Sequence, residues 1–293
     1  MPIAEKIAVI GAGKIGQALI KALVSSGYDN IVATARRQIT LRNVSKLGVE
    51  TTQDNNKAVN DAVIVILSVK PYHLPNVLQE VKPGSWDGKI VVSLLAGVRI
   101  STLREYMPRA EVYRAMPNIN ALVRKSSTAI AYNGQPGPGK FTVERIFRTV
   151  GKVYWVPEEL LDAWTGLVGS GPAYIAEIVD GLILGALAIG VPRDLAFESI
   201  LDVLEGTAEL LRSTQIHPSQ MRDEVTTPAG TTIRGLSVLE SESIKAALIK
   251  AVEAATQRSR EVSIQVDKQI KQTLEHSVKE NNTPGDVEQA GNQ

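Results

Sequence analysis

The stretch Ile7-Ala8-Val9-Ile10-Gly11-Ala12-Gly13-Lys14-Ile15-Gly16 decides the fold. Four consecutive apolar residues read as a strand covered on both faces, because a half-exposed strand would alternate with polar residues. A G-x-G-x-x-G spacing follows at once, and residues 15–25 after it carry a helical period. Gly11 permits the tight turn, Gly13 lets the backbone approach a pyrophosphate, and Gly16 lets the helix lie close to the strand. The free N–H groups at the helix start favour that anion. A plain glycine-rich turn has the same spacing. Its position directly between a strand and a helix nevertheless favours a dinucleotide site built from Gly11, Ala12, Gly13, Lys14, Ile15 and Gly16.

Outward from this point, short β-branched runs alternate with helical stretches. Strands are expected at 6–10, 30–34, 49–51, 63–68, 90–94, 112–114, 128–131 and 153–156. Several are continuous apolar runs, as in Val63-Ile64-Val65-Ile66-Leu67, which suits a parallel sheet with helices on both sides. After about residue 157 the strand signals stop, and helical periodicity runs to about 271 with breaks at Gly171-Pro172, Gly190-Val191-Pro192, Ile216-His217-Pro218 and Thr227-Pro228. The expected class is α/β. A Rossmann-like doubly wound sheet that binds NADP occupies 1–157, an all-helical substrate and dimerisation domain 158–271, and a polar, flexible tail 272–293. Residues 173–191 are nearly all apolar, but Glu177 and Asp180 interrupt them. They read as a helix buried between other helices rather than a membrane span.

Bulk properties narrow the chemistry. Of the 293 residues, 44% are hydrophobic and 22% charged, the balance of a folded chain. A formal net charge of +1 gives no broad grip on nucleic acid or anionic membrane, so neither is expected as a partner. With no cysteine there is no disulfide, thiolate metal site or cysteine nucleophile. His73, His217 and His276 lie at no ligand-like spacing, so no metal is expected. The chain opens without a signal-peptide pattern, and the expected location is the cytoplasm.

NAD sites place an acid at the end of the second strand to meet the ribose 2′-OH. Here the strand runs into Thr34-Ala35-Arg36-Arg37 instead. A hydroxyl and two guanidiniums at Thr34, Arg36 and Arg37 suit a 2′-phosphate, although two solvated arginines would look the same. NADPH is therefore the expected cofactor, with NADH working more weakly. Val69, Lys70 and Pro71 follow the apolar run at 63–68 and would wall the cofactor; Lys70 reads equally well as a surface lysine. Ala96 and Gly97, after the next strand, would clear room for a nicotinamide ring. Asn55 and Asn56 could reach the adenosine ribose.

Five segments in order resemble pyrroline-5-carboxylate reductase. They are the glycine fingerprint, Val69-Lys70-Pro71, Arg114-Ala115-Met116-Pro117-Asn118, Gly169-Ser170-Gly171-Pro172-Ala173-Tyr174, and Val225-Thr226-Thr227-Pro228-Ala229-Gly230-Thr231-Thr232-Ile233. The resemblance covers about residues 5–265. It implies reduction of L-1-pyrroline-5-carboxylate to L-proline by hydride transfer from NADPH, and a homodimer through the helical domain, with a decamer of dimers as a larger assembly. It implies that Asn56 touches the adenosine, that Met116, Pro117 and Asn118 border the pocket, and that Thr227, Gly230, Thr231 and Thr232 hold the substrate. The Thr232 hydroxyl would meet the ring nitrogen as the catalytic group. Two positions depart from the family: Ile119-Asn120 stands where Thr-Pro is usual, and Ala229 replaces a glycine.

The residues agree with such chemistry. No Ser-His-Asp set or paired-carboxylate motif is legible, and a protonated imine needs mainly positioning to accept a hydride. Thr232 alone could equally be a helix cap. The rival readings are another NADPH-dependent imine reductase, a β-hydroxyacid dehydrogenase, and a non-catalytic NADP-binding protein.

Overall fold

The computed structural model describes residues 4–135 and 137–281, with side chains through Thr273. The chain divides into two compact units, one of Met1–Gly169 with Thr256–Gln293 and one of Ser170–Ala255.

The first unit is built on eight strands: β1 (Ile7–Ile10), β2 (Ile31–Thr34), β3 (Glu50–Thr52), β4 (Ile64–Leu67), β5 (Ile90–Ser93), β6 (Glu111–Met116), β7 (Ser126–Tyr132) and β8 (Gly151–Trp155). Their order in the sheet is β3-β2-β1-β4-β5-β6-β7-β8. The outward order from β1 reverses between β2 and β4, which makes the carboxyl end of β1 the switch point where such sheets bind ligands. Strand β1 shows why the continuous apolar run was needed. Ile7 and Val9 enter one hydrophobic cluster, with residues of α1 (Lys14–Ser25) and α6 (Lys140–Arg148). Ala8 and Ile10 enter the other, with α3 (Asn55–Asp61), α4 (Leu74–Glu80) and α5 (Ile100–Tyr106). All four β1 residues are buried, so a polar substitution on either face would strand a group away from water.

The sheet is not wholly parallel. Strand β7 runs antiparallel to β6, with Met116 opposite Ala129, and β8 then runs parallel to β7. The reason is length. Only a short connection links β6 to β7, containing a 3-10 turn at Ile119–Val123 and a left-handed Arg124 at φ 57°. A parallel return needs a crossover of a dozen residues or more.

The helical segment expected at 158–271 is shared between the units. Residues of α7 (Leu161–Trp164) and the carboxyl-terminal part of α12 (Ile244–Asn281) pack on the sheet unit, where Leu161 and Ile270 are each 1% exposed. Ser259 and Ser263 of α12 both donate to Asp162 Oδ1, at 2.7 and 2.8 Å. Helix α12 continues through Asn281, so 272–281 is helical where a flexible tail was expected. Neither Gly nor Pro interrupts it before Pro284. The rest of that tail, 282–293, lies outside the described residues.

The second unit contains α8 (Gly171–Ala188), α9 (Arg193–Thr214), α10 (Pro218–Glu224), α11 (Thr231–Ser241) and the start of α12. Pro172 enters the first turn of α8 and Pro192 caps α9, as a missing N–H allows. The expectation of a buried apolar helix at 173–191 is not met within one chain. Ile183 is the only buried residue described on α8, while Ile175, Leu182 and Leu184 are about half exposed. One 18-residue window within the helical stretch Glu158–Ala188 reaches a mean hydropathy of 1.4, long and apolar enough by length and composition alone to pass for a membrane span.

Candidate functional site

The glycine loop at the switch point has the form of an anion cradle. Gly11 adopts φ +94°, and a Cβ there would lie 2.6 Å from Val69 Cγ1. A Cβ on Gly16 would lie 2.6 Å from the Gly11 carbonyl oxygen. Both glycines therefore serve close packing. Gly13 differs: nothing lies within 4 Å of the Cβ it lacks, so the backbone at the start of α1 stays open. Gly13 caps that helix without a side-chain hydrogen bond, and its first turn holds no acid. A free helix start beside bare backbone fits a pyrophosphate. Lys14 and Ile15 begin the helix, and the carbonyl of Ala12 is held by Gln17 Nε2 at 2.8 Å.

Thr34 does not do what was expected of it. It is 2% exposed, and its hydroxyl and carbonyl both accept from the Gly11 N–H at 3.2 Å, while the carbonyl also accepts from Ala12 at 2.8 Å. It clamps the glycine loop and is turned away from solvent, where a 2′-phosphate would be. Arg36 and Arg37 are exposed on the loop after β2. Arg36 Nη2 reaches His73 Nε2 at 2.6 Å, while Arg37 caps α2 (Gln38–Ser45) with its backbone alone. His73 closes the turn Pro71–His73 after β4; burial and the nearby Arg36 charge both lower its pKa. The sequence reading used His73 only to exclude metals. Nothing in the residue pattern could show that it meets Arg36, 37 positions away.

Asn56 lies in the first turn of α3, but its Oδ1 accepts from the Lys82 N–H at 3.0 Å, leaving only its amide NH2 uncommitted. Asn55 Nδ2 bonds Glu80 Oε2 at 2.5 Å. Val69 packs on Gly11, Lys70 is exposed at the cap of the Pro71–His73 turn, and Pro71 opens that turn. Ala96 is partly exposed. Gly97 is a correction. At φ +81° it is buried against α12, where a Cβ would lie 2.8 Å from Ser263 Cα. The missing side chain makes room for a helix, not for a nicotinamide ring.

At the end of β6, Met116 and Pro117 are partly exposed and Asn118 is 8% exposed. Its N–H donates to Ser126 Oγ at 3.1 Å and its Nδ2 to the Val168 carbonyl at 3.2 Å, while Oδ1 is buried without a partner. Asn118 thus joins β7 to the wide π-helical turn Thr165–Gly169. Nearby in sequence, Arg114 pairs with Glu158 at 2.9 Å, and the same carboxylate oxygen accepts from the Ile100 N–H at 2.8 Å. Sequence reasoning missed this buried pair because its partners are 44 residues apart.

In the helical unit, Thr227 and Thr231 are exposed and Thr232 partly so. Gly230 is the N-cap of α11, which places Thr231 and Thr232 inside its first turn. The cap reading of Thr232 therefore fails. The helix start has neither a side-chain cap nor an acid, so its N–H groups and two hydroxyls remain for a ligand. A Cβ on Gly230 would collide with the Thr227 hydroxyl. Ala229 sits at φ 57°, a left-handed conformation that explains why glycine is usual there in the family it resembles. Among the described residues no group of His, Asp and Glu could hold a metal ion.

Comparison with known proteins shows what the whole chain is similar to. Residues 158–262 match the pyrroline-5-carboxylate reductase dimerisation model, and residues 6–97 match the NADP oxidoreductase, coenzyme F420-dependent model. A pyrroline-5-carboxylate reductase of Methanosarcina acetivorans is 39% identical over 265 residues, 88% of this chain and 98% of that protein. A solved pyrroline-5-carboxylate reductase of Coxiella burnetii superposes with a TM-score of 0.81 at 32% identity, covering 88% of this chain and 98% of that one. The Plasmodium falciparum pyrroline carboxylate reductase, solved with NADP bound, gives 0.80 at 25% identity over 89% and 98%.

Proposed function

The chain belongs to the pyrroline-5-carboxylate reductase family, and on that premise we propose that it reduces L-1-pyrroline-5-carboxylate to L-proline with NADPH, as a step of proline biosynthesis. The observation that carries the reading is the uncapped start of α11, where the Thr231 and Thr232 hydroxyls share one turn with free backbone N–H groups. A small carboxylate beside a polar ring atom is the ligand such a turn suits.

The cofactor, when bound, supplies the hydride. Gly11, Ala12, Gly13, Lys14, Ile15 and Gly16 hold its pyrophosphate, Arg36 and Arg37 its 2′-phosphate, and Asn56 offers its free amide to the adenosine. Val69, Lys70, Pro71 and Ala96 line the remainder. Thr34 and Gly97 support this surface from behind. Met116, Pro117 and Asn118 bound the pocket, and Thr227, Gly230, Thr231 and Thr232 hold the substrate. The imine enters protonated, so its carbon is already electrophilic and no general acid is required. The Thr232 hydroxyl accepts from the ring N–H and fixes the ring; the hydride adds to C5, and the electron pair of the C=N bond returns to nitrogen. Orientation and a fixed dipole supply the rate.

The enzyme works in the cytoplasm as a homodimer through its helical segment, and a decamer of dimers is the larger form. The half-exposed Ile175, Leu182 and Leu184 support an association that covers α8. The test is spectrophotometric. Purified protein should oxidise NADPH with pyrroline-5-carboxylate and yield proline, and should be inactive on β-hydroxyacids with NADP. Turnover of the hydroxyacids alone would sink the assignment, and nucleotide binding without any turnover would favour the non-catalytic reading.

A further inference from the structure

We propose that His73 is a specificity-determining residue, which holds Arg36 in place for the 2′-phosphate and so sets the preference for NADPH over NADH. The inference rests on the NADPH reading above.

Strands β2, β1 and β4 are parallel neighbours, so their carboxyl ends lie along one edge of the sheet. Arg36 follows β2 and His73 follows β4, and they meet at 2.6 Å from the two sides of the glycine loop that follows β1. Guanidinium only donates, so the imidazole Nε2 must accept; the ring is therefore neutral with its proton on Nδ1. Partial burial and the Arg36 charge keep it so. The other ring against His73 is Tyr72, edge-on at 4.2 Å between centroids.

The rest of Arg36 is anchored too. Its carbonyl accepts from Gln53 Nε2 at 2.7 Å, and Gln53 Oε1 accepts from Gln38 Nε2 at 3.2 Å. A guanidinium has five N–H donors, and the bond to His73 uses one nitrogen, leaving an edge that can face a phosphate. An unheld arginine must give up its rotamer freedom when it grips an anion. One already held binds more tightly by about three- to tenfold. That gain exists only when the 2′-phosphate is present, which makes it a matter of selectivity rather than of general nucleotide affinity.

The test is fluorescence titration of the full chain with NADPH and with NADH. His73→Leu should raise the Kd for NADPH by about three- to tenfold and that for NADH by less than about twofold. His73→Gln, whose carbonyl can accept from Arg36, should recover most of the preference. In an Arg36→Met background, His73→Leu should change nothing further. Equal weakening of both nucleotides, or an undiminished effect without Arg36, would overturn the proposal, since a merely structural histidine would behave that way. Should His73→Leu fail to fold, His73→Ala, which also has no acceptor for Arg36, is read by the same ratio. A wild-type chain that binds neither nucleotide would overturn the NADPH reading itself, a result distinct from failure of the His73 role alone.

Discussion

Gly97 and Ser263 meet almost backbone to backbone, with a Cβ on Gly97 placed 2.8 Å from Ser263 Cα. This contact is where the last long helix docks on the sheet unit, and two flanking bonds seal it. Ser263 Oγ donates to Asp162, and Thr102 Oγ1 donates to Asp267. Gly97→Ala should therefore destabilise the fold twice over, through its positive φ and through the clash. A loss of about 2–4 kcal/mol in denaturant-induced unfolding is expected. A loss below about half a kcal/mol would mean the helix does not sit there.

Ala229 offers the opposite experiment. Its left-handed φ of 57° costs an alanine about 1 kcal/mol or more, which glycine avoids. Ala229→Gly should raise stability by up to about 1 kcal/mol and leave the KM for the imine unchanged. Clear destabilisation would show that the turn does not have this conformation.

Thr232→Ala should lower kcat/KM for pyrroline-5-carboxylate by about 10- to 100-fold, the scale of one lost transition-state hydrogen bond. NADPH affinity should not change, and Thr232→Ser should recover much of the rate. Full activity in the alanine variant would remove Thr232 from the reaction.

Replacing Arg36 and Arg37 together by methionine should weaken NADPH by at least about tenfold while leaving NADH nearly untouched, because each charge-assisted bond to a phosphate contributes about 1.5–3 kcal/mol. Equal loss for both nucleotides, read by the same titration, would place the 2′-phosphate elsewhere.

Arg114 and Glu158 form an ion pair whose side chains are 8% and 17% exposed. Removing one partner leaves the other charge largely out of water. Arg114→Met should cost about 3 kcal/mol or more, seen as a lower unfolding midpoint, and nothing in the reaction depends on it directly.

What could be read from the residues was whatever repeats locally. The β1 run and the three glycines after it announced a parallel sheet with a nucleotide loop, because backbone covered on both faces admits only apolar side chains and the close packing at Gly11 and Gly16 leaves no room for a Cβ. The change to helical period near residue 157 was legible for the same reason. So was the family, since Thr227–Thr232 is a contiguous motif.

Only the tertiary structure decided what distant residues do to one another. Thr34 looked like a phosphate ligand and proved to be a buried clamp on Gly11; Gly97 looked like clearance for a ring and proved to be a seat for α12. His73 had no local signal, yet it meets Arg36. The reversed direction of β7 and the sharing of α12 between two units were equally hidden. In each case the deciding quantity is a contact across tens of residues, and periodicity along the chain carries no record of which side chains the fold will bring within 3 Å of each other.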